Sequence, residues 1–260
     1  MPHSGKPRKG KQRPSKTTTA KVKPLTDTIR LNKFIANSGV CSRREADTYI
    51  ATGLVTVNGK VINQMGFQVK KTDDVRFDGK RIIPEPPTYI LLNKPKGVAT
   101  TTSTQKGLTV MDLIARGSSA SVKPMGRLGR NATGLLLFTN DDAFRQKLSK
   151  KGITRLFHVE LNKNLKFEDL KAIQEGLTIS EDKTIQIETI SYVENSPKKE
   201  VGIALKHTGN QVIRDIFEKL NYQVVRLDCV RIGHLTKKDL PRGRFRTLTA
   251  SELQLFHQTQ

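Results

Sequence analysis

The strongest constraint in this chain is local. Ser42-Arg43-Arg44-Glu45 has the form of a capping box, and Asn58-Gly59 is the dipeptide favoured in a type I′ hairpin turn. A helix starts at the first and a two-stranded ribbon reverses at the second, so the short stretch between holds one helix and one strand. Upstream, Leu31, Phe34 and Ile35 recur at i, i+3, i+4 and mark the inner face of an earlier helix, closed by Gly39. The second helix turns Ala46 and Ile50 inward and ends at Gly53. Leu54-Val55-Thr56-Val57 alternates as a strand, and Lys60-Val61-Ile62 returns beyond the turn. A further strand pair is expected around Gln68-Val69 and Val75-Arg76-Phe77, turning at Asp73-Asp74. Two short helices on a small sheet form a compact module spanning 28–83. Pro84-Glu85-Pro86-Pro87 begins a stiff linker over 84–88.

Charge says what such a module meets. The 260 residues carry 46 Lys and Arg against 24 Asp and Glu, a net +22. That imbalance favours a polyanionic partner, and nucleic acid over an anionic bilayer, because no segment has the apolar length that spans a membrane. Residues 1–27 concentrate the excess. Lys6, Arg8, Lys9, Lys11, Arg13, Lys16, Lys21 and Lys23 face one acid, Asp27, among four prolines. This segment reads as a disordered basic tail that binds phosphates by charge alone. The start lacks the apolar core of a signal peptide. Cys41 and Cys229 are far apart and make no metal-type spacing, which suits free thiols in a reducing cytoplasm.

The remainder, 89–250 with an extension over 251–260, opens on a buried strand at Tyr89-Ile90-Leu91-Leu92, with a turn at Asn93-Lys94-Pro95-Lys96-Gly97 and a mobile loop over 100–107. Helices are expected over 108–114, 141–148, 167–175 and 212–220, the last two closed by Gly176 and Asn221. Strands are expected over 135–138, 156–161, 185–193, 201–205 and 224–232. Hairpins and helices mix without a regular βαβ beat, so the class is α+β. The five histidines do not cluster. His158 and His207 read as strand-surface residues, and no metal site is expected.

Two resemblances sharpen this picture. Arg30-Leu31-Asn32-Lys33-Phe34-Ile35, Cys41-Ser42-Arg43-Arg44-Glu45-Ala46 and Val57-Asn58-Gly59-Lys60 resemble the S4-like RNA-binding domain. Arg43 and Arg44 fall in the first turn of a helix, where the dipole already favours anions, and Arg30, Lys33 and Lys60 could add donors. The second resemblance rests on Leu92-Asn93-Lys94-Pro95, Gly126-Arg127-Leu128, Gly134-Leu135-Leu136-Leu137-Phe138-Thr139-Asn140-Asp141 and Asp239-Leu240-Pro241-Arg242-Gly243-Arg244. These resemble the RsuA/RluB type of ribosomal RNA pseudouridine synthase. The resemblance implies a mixed, mainly antiparallel sheet with flanking helices. It also implies chemistry without metal or cofactor: a carboxylate acts as base or nucleophile at the sugar, a tyrosine packs on the target base, and an arginine pairs with the carboxylate.

The residues at those positions depart from that pattern. The carboxylate position is Gly129 and the tyrosine position is Phe157. Arg214 remains of two successive arginines, and the second is Asp215. Asn210-Gln211 replaces an Asn-Arg or Asn-His pair, and Ala132 stands where Thr or Ser is usual. Asp215 cannot occupy the corner Arg214 occupies, since consecutive helical residues diverge by roughly 100°. Asp141 and Asp142 fall at the far end of the following strand. Arg127, Lys94 and Lys96 fall on loops beside the pocket, and Arg231, Lys237, Lys238, Arg242, Arg244 and Arg246 form a second basic zone. Scarce aromatic residues disfavour a base-stacking platform and suit structured RNA read by shape and phosphate. The expectation is a cytoplasmic protein that binds ribosomal RNA or a ribosomal subunit, silent in catalysis, with no small-molecule cofactor and no obligate protein partner, acting as a ribosome-associated or assembly factor. The rival is an active synthase with an unorthodox site.

Overall fold

A computed structural model describes residues 28–101, 107–180, 183–185, 187–206 and 211–258. The basic tail, most of the loop expected over 100–107, His207 and Asn210 lie outside the described residues.

The first unit comprises β1 (Thr28–Arg30), α1 (Leu31–Asn37), α2 (Arg43–Ala51), β2 (Val55–Val57), β3 (Lys60–Val61), β4 (Gln68–Lys70), β5 (Val75–Phe77) and β6 (Lys80–Arg81). The capping box closes in both directions: Glu45 N–H donates to Ser42 Oγ at 3.3 Å, and Ser42 N–H to Glu45 Oε2 at 2.7 Å. Asn58 and Gly59 take φ of 49° and 79°, as the hairpin requires. Leu31, Phe34, Ile35, Ala46 and Ile50 are buried together with Val55, Val57, Val69 and Val75.

One pairing differs from expectation. β4 does not pair with β5. It pairs with β1, placing Ile29 opposite Val69, while β5 joins the sheet β3-β2-β5-β6. The Asn58 side chain explains the crossing, because it grips the 73–74 turn through Asp73 Oδ1 at 3.1 Å and Asp74 N–H at 2.9 Å. That turn is thereby stitched to the β2–β3 hairpin.

The second unit comprises β7 (Tyr89–Lys94), α3 (Val110–Ala115), β8 (Lys123–Pro124), β9 (Thr133–Thr139), α4 (Asp142–Lys151), β10 (Arg155–Leu161), α5 (Phe167–Glu175), β11 (Leu177–Ser180), β12 (Lys183–Ile185), β13 (Thr189–Tyr192), β14 (Glu200–Leu205), α6 (Gln211–Lys219), β15 (Val224–Ile232), β16 (Leu235–Thr236), β17 (Phe245–Thr247) and α7 (Ala250–Gln258). Its nine-stranded sheet runs β13-β14-β10-β15-β9-β7-β17, with β16 on β15 and β8 on β9. Every pairing is antiparallel except β9 with β15. The architecture is the mixed, mainly antiparallel α+β sheet with flanking helices that the resemblance implied.

Three boundaries shift. The strand expected over 185–193 is two: β12 pairs with β11, and β13 joins the main sheet. β7 continues through Asn93 and Lys94, which pair with Leu135 and Gly134 rather than forming a turn. The segment read as an extension belongs to α7, whose Phe256 is buried and packs edge-on against Phe144. The linker is pinned on both sides. Glu85 N–H donates to Asn37 O, Ser121 N–H donates to Glu85 Oε2, and Asn140 holds Pro86 O and Thr88 N–H.

The parallel junction fixes how closely β9 and β15 approach. Thr133 and Gly134 pair with Asp228 and Cys229. Gly134 has φ +102°, and a Cβ there would lie 2.2 Å from Cys229 O and 2.8 Å from Asp228 Oδ1. Only glycine admits so close an approach. Gly134→Ala should therefore destabilise the protein by about 3 kcal/mol or more. Urea unfolding measures this, and an unchanged midpoint would contradict the argument.

Candidate active-site loop and its basic surroundings

The loop between β8 and β9 is a tight turn, closed by Ala132 N–H to Gly129 O at 3.0 Å. It is anchored from beneath. Leu128 and Ala132 are buried, and Thr100 Oγ donates to Leu128 O at 2.7 Å. Arg127, Gly129 and Arg130 face solvent. Gly129 is outside the left-handed region, so its backbone would accept a side chain. No carboxylate or hydroxyl projects from position 129.

Lys94 corrects an expectation. It is fully buried, not a free donor on a loop. Its ammonium donates to the carbonyls of Ala132 at 2.6 Å, Gly129 at 3.0 Å, Pro95 at 3.1 Å and Arg130 at 3.3 Å. Because β7 extends through residue 94, the side chain enters the turn from inside and organises it. Burial, followed by repulsion from Arg130 and Arg242, pushes its pKa down to about 8. The loop is thus built on a cation whose neighbours are also cations.

Asp228 is the acid that sequence reasoning overlooked. It projects from β15, the parallel neighbour of the loop's own strand. Thr133 Oγ donates to its Oδ1 at 2.6 Å, Arg242 Nη1 to Oδ1 at 2.8 Å and Lys237 Nζ to Oδ2 at 2.6 Å. Burial opposes ionisation, but these donors prevail and hold its pKa down at about 2. Arg242 also donates to Asn93 Oδ1 at 2.9 Å, tying β15 to β7. Asp228 was legible as the one acid in the run Val224–Ile232, where a charge inside a core strand must find partners. Its oxygens are taken by two cations and a hydroxyl, so it holds the scaffold.

The other residues that the resemblance singles out make structural contacts. Phe157 is 2% exposed and packed in the core, paired across the sheet with Ile203 and Cys229, so its ring is covered rather than offered for stacking. Arg214 is committed to Val224 O at 3.1 Å. Asp215 turns along α6 to accept from Gln211 Nε2 at 2.9 Å. Asp141 caps α4 at the opposite end of β9, where Asp142 pairs with Arg145 and Lys33.

In the first unit, Arg30, Arg43, Arg44 and Lys60 are exposed. Lys33 is not a free donor. Its ammonium lies 3.5 Å from Asp142 of the second unit, because α1 packs toward the linker. Arg244 is exposed, like Arg127, and His158 sits on the strand surface 2.9 Å from Glu200. Among the described residues no group of three or more His, Cys, Asp or Glu could hold a metal ion, and no helix is long and apolar enough to cross a membrane.

The Asp228 cluster makes stability depend on pH. A carboxylate whose folded pKa is depressed contributes stability above its unfolded value near 4, and loses it as pH falls toward 2. Asp228→Asn should cost about 2 kcal/mol at pH 7. The gap between variant and wild type should close on acidification from pH ~4 to ~2. A gap independent of pH, in denaturant titrations, would refute the assignment.

Comparison with known proteins places this arrangement. Residues 88–232 match the RNA pseudouridylate synthase family, and residues 29–75 match the S4 domain. The chain is 31% identical over 229 residues to ribosomal large subunit pseudouridine synthase B of Bacillus subtilis, covering 86% of this chain and 94% of that protein. It is 33% identical over 234 residues to the dual-specificity RNA pseudouridine synthase RluF of Escherichia coli, covering 86% and 77%. A crystal structure of a pseudouridylate synthase shares the fold, with a TM-score of 0.62 and 24% identity over 88% of this chain and 99% of that one. An S4 domain ahead of a nine-stranded synthase sheet, with these relatives, means that the chain belongs to the RsuA/RluB type of the RNA pseudouridylate synthase family.

Proposed function

We propose that this protein binds ribosomal RNA without isomerising it, and acts in the cytoplasm as a ribosome-associated or assembly factor. The observation that carries the reading is position 129. It sits on an exposed turn between Arg127 and Arg130, where the family's chemistry needs a carboxylate, and it has no side chain. A group that takes a proton or attacks the sugar must come from somewhere else, and the acids closest in role are spent. Asp228 is bound by Arg242, Lys237 and Thr133. Asp215 is held by Gln211. The covered ring of Phe157 lacks the phenol oxygen, and Arg214 is held by the carbonyl of Val224.

What persists is cationic. Arg127 and Arg130 flank the turn, and Lys94 beneath them is short of negative charge. A phosphate at the loop would neutralise this cluster. Exposed Arg30, Arg43, Arg44 and Lys60 supply donors on the S4 unit. Both of the relatives named above are called pseudouridine synthases, which favours the rival reading of an active enzyme with an unorthodox site.

The discriminating experiment is direct. Purified protein is incubated with ribosomal RNA transcript, and pseudouridine is mapped by chemical adduct and primer extension. No new pseudouridine is expected. Turnover that disappears when a nearby acid is altered would overturn the silent reading. Gly129→Asp alone should remain inactive, since Phe157 and Asp215 still depart from the family pattern. Full activity in that variant would show that one missing carboxylate was the whole defect. RNA affinity should fall steeply with salt, with log K linear in log salt; affinity indifferent to salt would exclude phosphate-driven binding.

A further inference from the structure

An open groove of about 510 Å³ lies between the end of α3 and the turn that precedes β17. Leu113 and Phe245 form its apolar floor, with Arg116, Arg242 and Arg244 around it. The turn is built by sequence. Arg244 N–H donates to Pro241 O at 3.1 Å, and Gly243 has φ +82°, which puts Arg242 and Arg244 on either side of a glycine that only a turn of this kind requires. Gly117 keeps the floor open: a Cβ there would come within 3.2 Å of Phe245 Cζ.

The arginines are not equivalent. Arg246 is held bidentately by Glu252 at 2.6 and 2.8 Å, and Arg242 is tied to Asp228 and Asn93. Arg116 and Arg244 are exposed, and among the described residues neither guanidinium has a hydrogen bond or ion pair. Asp112, one turn before Arg116, gives its carboxylate to Thr109 N–H and Oγ as the α3 cap and interacts with Arg116 only at longer range. Two exposed guanidiniums without a hydrogen bond among the described residues therefore line one groove with an aromatic ring.

We propose that this groove is a nucleotide subsite for the RNA strand that crosses the loop. Arg116 and Arg244 bind backbone phosphates, and an unpaired base lies on Phe245. Arg242 bridges the subsite to the loop, since the side chain that lines the groove also holds Asn93, the neighbour of Lys94. The inference rests on the RNA-binding reading above. The chemistry is general: planar guanidiniums fork onto phosphate oxygens, and any base can stack on an aromatic face.

The test uses the full chain and a single-stranded RNA of about ten nucleotides carrying 4-thiouridine, a length within the range a single-strand groove covers. The double variant Arg116→Glu, Arg244→Glu is compared with Lys150→Glu, Lys151→Glu, an equal charge change on α4. The groove variant should bind at least about 10-fold more weakly, and its salt slope should shrink by about 1 to 2, as expected when two phosphate contacts vanish. The α4 variant should change far less, and photo-cross-links should map to Phe245. Equal losses in both variants, or cross-links elsewhere with Phe245 unmodified, would overturn the subsite while leaving RNA binding intact. Failure of the wild-type chain to bind RNA at all would remove both readings. Unchanged unfolding midpoints in both variants establish that folding is not the cause.

Discussion

The second unit depends on one buried ammonium. Lys94 ends β7 inside the turn that leads into β9, and four backbone carbonyls converge on it. Gly129 O and Arg130 O also accept from Ala132 N–H and Gly97 N–H, so the ammonium joins the turn to the segment that follows β7. A fully buried charge is costly unless every direction is satisfied, and here backbone dipoles supply what a carboxylate would. Burial first, and then repulsion from Arg130 and Arg242, lowers the pKa of Lys94. The loop is anchored by these bonds and flanked by cations.

From that clamp the polar framework spreads outward. Asn93 beside Lys94 gives its side-chain amide to Leu240 O and its carbonyl oxygen to Arg242. Arg242 reaches Asp228 on β15, and Asp228 returns through Thr133 to the strand that the loop feeds. Three strands, β7, β9 and β15, are thus closed into a ring of hydrogen bonds at the end of the sheet where the loop lies. Gly134 permits the ring, because any side chain would wedge β9 from β15. The loop is supported from several strands, and the residue on its exposed turn is Gly129.

Much of this was legible in the sequence. The capping box at Ser42–Glu45 and the Asn58-Gly59 turn signalled their structures because each is specified by residues within a few positions of itself. The helices from Phe167 and Val212 were legible from periodicity, and their ends from Gly176 and Asn221. The misread pairing of β4 was different. Gln68–Lys70 and Val75–Phe77 look like a hairpin locally, and only the Asn58 side chain, far away in sequence, carries the turn across to another sheet. Lys94 and Lys33 misled for a related reason. A lysine in a run of basic residues reads as a solvated donor, and nothing nearby in sequence reveals that one meets four carbonyls and the other Asp142.

The sequence by itself determined the class of scaffold, the two-unit organisation, the excess of positive charge and the glycine at position 129, since these follow from residue identity and short-range pattern. Only the tertiary structure decided which cations are available. It buried Lys94, paired Lys33 and Arg246, enlisted Arg242 for Asp228, and left Arg116 and Arg244 facing one groove. The reason is physical. Whether a charge is free depends on the dipoles and acids within a few ångströms of it, and those arrive from strands that lie far apart along the chain.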